Sequence, residues 1–69
     1  MTEMQNMLEA LIDQHGLYMV LADISYICFE KAEHLKHEWQ DYDTADAWTS
    51  GGTVVHQAAE VCYWKGLIK

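Results

Sequence analysis

The sequence has no proline and no arginine, a single phenylalanine, four glycines and two cysteines. Without proline, no backbone N–H is missing and no ring forces a helix to break. Without arginine, and with four lysines against eleven Asp and Glu, the net charge is -7. A chain so poor in clustered cations is a bad ligand for phosphate backbones, so direct nucleic-acid binding is excluded. Two cysteines, Cys28 and Cys62, allow one disulfide at most and no disulfide scaffold. The longest uninterrupted apolar run is Leu17 to Ala22, closed by Asp23. It is far too short to span a bilayer. The first fifteen residues carry Glu3, Glu9 and Asp13 and no lysine, unlike the basic start of a secretory signal. These absences predict a soluble cytoplasmic protein with reduced thiols and no membrane partner.

What is present is a 51% hydrophobic chain of 69 residues. That composition excludes a disordered tail or a flexible linker, and the length allows one domain, 1–69. A single core in so short a chain rarely supplies more than ~3–5 kcal/mol. The apolar fraction therefore points to burial against something beyond the chain itself.

The periodicity is helical throughout. Met4, Met7, Leu8, Leu11 and Ile12 line one face of a first helix, about residues 3–15. Thr2 and Gln5 fit a capping box. Gly16 reads as the stop, with Ile12 and Leu17 as the apolar pair of a Schellman ending. From 17 to 40, the residues Leu17, Leu21, Ile24, Cys28, Ala32, Leu35 and Trp39 form one stripe. They predict a single helix about 35 Å long. Its first half is apolar around most of its girth, so it must be covered on several sides. Asp41-Tyr42-Asp43 reads as the turn, with Asp43 or Thr44 capping a third helix over about 44–64.

Two readings compete at Gly51-Gly52: a loop, or a helix running through. Ala45, Trp48, Gly52, Val55, Ala59 and Cys62 keep helical register across the pair, which favours the continuous helix despite ~1 kcal/mol per glycine. The expected fold is all-α: a short N-terminal helix packed on a long antiparallel helical hairpin, dimerising into a helical bundle.

Three side-chain groups carry candidate chemistry. Glu30, Glu33, His34, His37 and Glu38 include carboxylate–imidazole pairs four residues apart. Such pairs can hold a divalent transition metal, although a solvated helix face with weak ion pairs has the same spacing. With the turn centred on Tyr42, Cys28 falls level with His56, and Cys62 is displaced from Cys28 by about 9 Å of helix rise. That is too far for a disulfide, so both cysteines read as reduced core residues. Trp39 and Trp48 fall on the inner stripes and are expected to close the turn end. Tyr42, Tyr63 and Trp64 lie off the stripes, where aromatics serve as core cover or as interface anchors. No nucleophile elbow or phosphate loop is present. No catalytic residue, bound metal or cofactor is therefore assigned.

Charge is unevenly placed. The lysines sit only at 31, 36, 65 and 69, whereas Glu38, Asp41, Asp43 and Asp46 gather around Tyr42. An acidic tip with an aromatic at its centre is steered toward a basic surface, so Glu38, Asp41, Tyr42, Asp43 and Asp46 are the candidate partner-binding residues. Met7, Leu11, Tyr18, Met19, Val20, Tyr26, Ile27 and Phe29 are the candidate dimer interface.

The stretch Cys28-Phe29-Glu30-Lys31-Ala32-Glu33-His34-Leu35, with Trp39-Gln40-Asp41 and Thr44-Ala45-Asp46-Ala47-Trp48, resembles a pattern in small uncharacterised helical proteins of bacteria and their phages. The resemblance implies no activity and no ligand residues, but it does imply a mobile-element setting. Gly51-Gly52 departs from the unbroken helix of those proteins. The expected function is a non-enzymatic acidic interaction module, in its specific form a phage-type inhibitor, such as an anti-CRISPR or other anti-defence protein. It would bind a basic surface of a host nucleic-acid-processing protein. The alternatives are a homo-oligomeric structural or regulatory bundle without a heterologous target, and a metal-binding bundle.

Overall fold

The computed structural model describes residues 1–68 and is all-helical there: α1 (Glu3–His15), α2 (Leu17–His34), a π-helical turn (Leu35–Trp39) and α3 (Tyr42–Trp64). The capping box forms as its residues dictate. Gln5 N–H donates to Thr2 Oγ1 at 3.1 Å, and Thr2 N–H donates to Gln5 Oε1 at 2.8 Å.

Gly16 ends α1, but not by a Schellman motif. Its own N–H donates to the Ile12 carbonyl at 2.7 Å. Its φ of 88° and ψ of 151° lie in a region open to glycine and hardly to anything else. That geometry turns the chain so sharply that α2 starts at the next residue. The Schellman motif occurs instead at the end of α3. There Gly66, at φ 82°, donates to the Tyr63 carbonyl at 3.1 Å, and Leu67 N–H donates to the Cys62 carbonyl at 2.8 Å. The Leu67 carbonyl then accepts from Tyr18 N–H at 3.0 Å. One of the unpaired donors that open α2 is thus capped by the end of α3.

The helix read as continuous to Gln40 changes character first. Leu35–Trp39 winds as a π-turn, with the Gln40 N–H reaching back to the Leu35 carbonyl. A π-turn holds more residues than an α-turn, so it rotates Trp39 off the stripe. Trp39 is 71% exposed and Trp48 37% exposed, so neither closes the hairpin as expected. The chain reverses through Gln40, which is left-handed at φ 53°. Asp41 is the N-cap of α3, rather than Asp43 or Thr44: its Oδ1 accepts from Thr44 N–H at 3.2 Å.

α3 runs unbroken through Gly51-Gly52, as its register predicts. The two glycines differ. A β-carbon at Gly52 would lie 2.8 Å from Phe29 Cε1 and 3.0 Å from Cys28 Cβ, whereas one at Gly51 would meet nothing. Gly52 therefore marks a close approach of α2 and α3. Level with it is Cys28, not the expected partner His56, so the arms are shifted by four residues from the predicted register. The Tyr18 and Tyr63 rings, 5.3 Å apart, agree with that shift. Cys62 then lies about 15 Å of helix rise from the level of Cys28, and both cysteines are free.

The buried residues are Ser25, Cys28 and Ala32 of α2, Ala45, Gly52, Ala59 and Cys62 of α3, and Gly16 between α1 and α2. All are small. Of the predicted α2 stripe, only Cys28 and Ala32 are buried; Ile24 is 37% exposed, and Leu17, Leu21 and Leu35 are half-buried. The Ser25 hydroxyl donates to the Ala22 carbonyl at 2.7 Å, so it enters the seam without an unmet polar group. α2 packs on α3, and α1 packs on α2 alone among the helices. The backbone extends 38 × 29 × 15 Å. Among the described residues, no large side chain is fully buried.

Replacing Gly52 by alanine pushes the helices apart at Cys28, whose Cβ cannot move aside. We expect Gly52→Ala to cost ~1–2 kcal/mol, with overpacking outweighing the gain in helix propensity. Gly51→Ala should stabilise by ~0.5–1 kcal/mol. Urea denaturation of the two variants checks the sign. Gln40→Gly, which removes left-handed strain, should be neutral to stabilising by up to ~1 kcal/mol in the same assay.

Candidate interaction surface

With only small residues inside, the larger apolar side chains fall on the surface. α1 has no buried residue. Met4, Met7 and Leu11 stand out from it at 69, 62 and 42% exposure. Between α1 and α2 lies a trough of about 290 Å³ lined by Leu8, Leu11, Met19, Val20, Ile24 and Ile27, with His15 and Asp23 in its walls. Ile27 also borders a second hollow of about 410 Å³, formed with Glu30, Lys31, His34, Leu35 and Trp48. The Lys31 ammonium sits 5.4 Å from the centre of the Trp48 ring, a cation–π distance.

The expected interface residues divide. Met7, Leu11, Met19, Tyr26 and Ile27 are exposed, and Val20 is half-buried in the trough wall. Tyr18 and Phe29, in contrast, are engaged within the subunit. The Tyr18 ring packs on Tyr63, which in turn meets the edge of Trp64 at 5.5 Å, and Phe29 lies over Gly52. Tyr26 points outward beside Glu30. The Glu30 carboxylate raises the Tyr26 pKa above the ordinary 10.0, first by accepting its hydroxyl hydrogen bond, then by its charge, with slight loss of hydration third.

At the turn, Glu38, Tyr42, Asp43 and Asp46 are exposed, while Asp41 is half-buried by its capping role. Trp39 stands beside them at 71% exposure and Tyr42 at 60%. Among the described residues, the side-chain ion pairs are His37–Glu33 at 3.1 Å and His56–Glu60 at 2.9 Å. The acid residues of the turn are not neutralised by either.

The residues considered as metal ligands do not converge. Glu33 and His37 pair on a solvated face, Glu30 faces Tyr26, and no three His, Cys, Asp or Glu side chains come together among the described residues. His56 pairs with Glu60 rather than with Cys28.

Sequence reasoning missed Trp39, Met4 and Ile24 as surface residues. It also missed Val54 and Val61, 65 and 58% exposed on the face of α3 away from α2. The seven-residue spacing of those valines was the available signal. No described helix is long and apolar enough to cross a membrane.

The raised Tyr26 pKa has a testable sign. Folding holds the phenolic proton more tightly, so this contribution is present below the ordinary tyrosine pKa and is lost as pH rises through the folded value. Glu30→Gln should bring the Tyr26 pKa back toward 10.0, read by NMR titration of the ring carbons.

Compared with known proteins, the chain matches no family model, no curated protein and no solved structure.

Proposed function

We propose that this chain is a non-enzymatic protein-interaction module whose partner presents a basic surface. The observation that carries the reading is that, among the described residues, no large side chain is fully buried while Met4, Met7, Leu11, Met19 and Ile27 stand exposed. Each large aliphatic side chain brought from water to full burial is worth about 1.5–3 kcal/mol. Exposed Met4, Met7, Leu11, Met19 and Ile27 therefore represent a binding energy that the lone chain does not use. The charge of -7 and the acid residues around Trp39 and Tyr42 favour a cationic partner. An anti-defence inhibitor of a host nucleic-acid-processing protein is the specific form of this reading, supported by the acidity and by the resemblance to small bacterial and phage proteins.

A second reading, self-association, is favoured by the outer face of α3. Ala47, Gly51, Val54, Ala58 and Val61 follow one another at helical spacing, and all are exposed. Gly51 has no neighbour there that requires a glycine. Antiparallel pairing of two such helices about Val54 would set Asp43 of each copy at the level of Lys65 of the other.

Affinity capture from a bacterial lysate, with Asp43→Lys/Asp46→Lys as control, tests the leading reading. We expect a partner that is retained at low salt, released at high salt and lost with charge reversal. Capture that ignores salt, or no capture, would contradict it. A concentration-dependent dimer in light scattering, broken by Val54→Lys, would favour the second reading.

A further inference from the structure

We infer that the trough along α2 binds a basic amphipathic α-helix of another protein, docked between α1 at one end and Trp48 at the other. This inference rests on the interaction reading above and names the partner's form and place of docking. The two hollows meet at Ile27, so Val20, Ile24, Ile27 and Leu35 define one apolar path along α2 to the start of the π-turn. From Val20 to His34 the path rises about 21 Å, the length of four helical turns. It is open along its length and lined by aliphatic side chains, the form that receives a helix presenting anchors at i, i+3 or i+4, and i+7. Met19 in its wall, with Met4 and Met7 exposed on the adjoining α1, gives the unbranched, polarizable side chains that adapt to a docking helix.

Charge decides the occupant. Asp23 and Glu30 lie in the two walls, one turn to either side of Ile27. Lys31, the one lysine of the path, is directed to the Trp48 ring. Residues 1–30 carry Glu3, Glu9, Asp13, Asp23 and Glu30 and no lysine. A second copy docking through this face would carry the same net charge of -7 and bring a second Asp23 and Glu30 to it. A helix flanked by lysine or arginine meets opposite charge instead, and its apolar anchors replace water over Leu11, Ile24 and Ile27.

The test is fluorescence anisotropy of the full chain against a labelled Leu/Lys peptide of about 15 residues with leucines on one helical face. A Leu/Glu peptide of the same pattern is the comparison. We expect saturable micromolar binding of the Leu/Lys peptide and at least about tenfold weaker binding of the Leu/Glu peptide. Ile27→Lys should weaken the first by about tenfold or more, and Asp23→Lys should weaken it less but measurably. Val54→Lys, on the far face of α3, should leave it within about twofold. Circular dichroism and the melting temperature show that each variant is folded, and Asp23→Lys carries the test if Ile27→Lys is not.

Equal binding of both peptides, or no binding of either, would overturn the inference. So would loss of binding in Val54→Lys or in Asp43→Lys/Asp46→Lys with Ile27→Lys unaffected, and the last pattern would move the contact to the turn and leave the broader reading standing. A dimer that excludes the peptide and is broken by Ile27→Lys would assign the trough to a second copy and equally overturn it. Failure of the broader reading shows separately, as an absence of salt-sensitive capture from lysate.

Discussion

Two helices can approach as closely as α2 and α3 do at Gly52 only if the residues between them are small. A β-carbon there would stand 2.8 Å from Phe29 and 3.0 Å from Cys28, so the contact has no space for even one more carbon. Above and below it, the same requirement is met by Ser25, Ala32, Ala45, Ala59 and Cys62. Tight backbone approach replaces bulky interdigitation as the source of packing, and dispersion between close atoms supplies the attraction.

Everything larger is displaced outward. Leu17, Leu21, Leu35 and Val55 are half-buried, while the methionines, Leu11, Ile24, Ile27, Val54, Val61 and three tryptophans reach the surface. Backbone geometry holds both ends of the hairpin, with the Tyr18–Tyr63 ring contact added at the open end. Gln40 and Asp41 reverse the chain at one end. At the other, the Leu67 carbonyl caps Tyr18 N–H. Met4, Met7, Leu11, Met19 and Ile27 remain open to water, the kind of exposed apolar surface found where proteins bind one another.

The sequence made the helices legible because their periodicity, the Thr2–Gln5 capping box and the stop at Gly16 are local signals. Continuity through Gly51-Gly52 was readable too, from register maintained across the pair. What the residues concealed was geometry that depends on another element. The π-turn at Leu35–Trp39 has no local signature, and it alone turns Trp39 from an inner residue into a surface one. The four-residue shift in hairpin register follows from that turn and from reversal at Gln40 rather than Tyr42. Large apolar residues on a stripe were read as core, because hydrophobicity ordinarily outranks size in deciding what is buried. Here closeness outranks hydrophobicity, so Ala32 and Ala45 lie inside while Ile24 and Trp48 do not. Of the candidate contact residues, the acidic turn was readable from charge spacing. Tyr18 and Phe29 were not separable from their outward neighbours without the partner helix in place.

The central claim is that this chain places small residues inside and large ones outside. Methyl NMR of the dilute protein with a soluble paramagnetic probe reads it directly. Strong broadening is expected for the methyls of Met4, Met7, Leu11, Ile27 and Val54, with Ala32, Ala45 and Ala59 spared. Shielded Leu11 and Ile27 methyls in the monomer, with broadened Ala45 and Ala59, would contradict it.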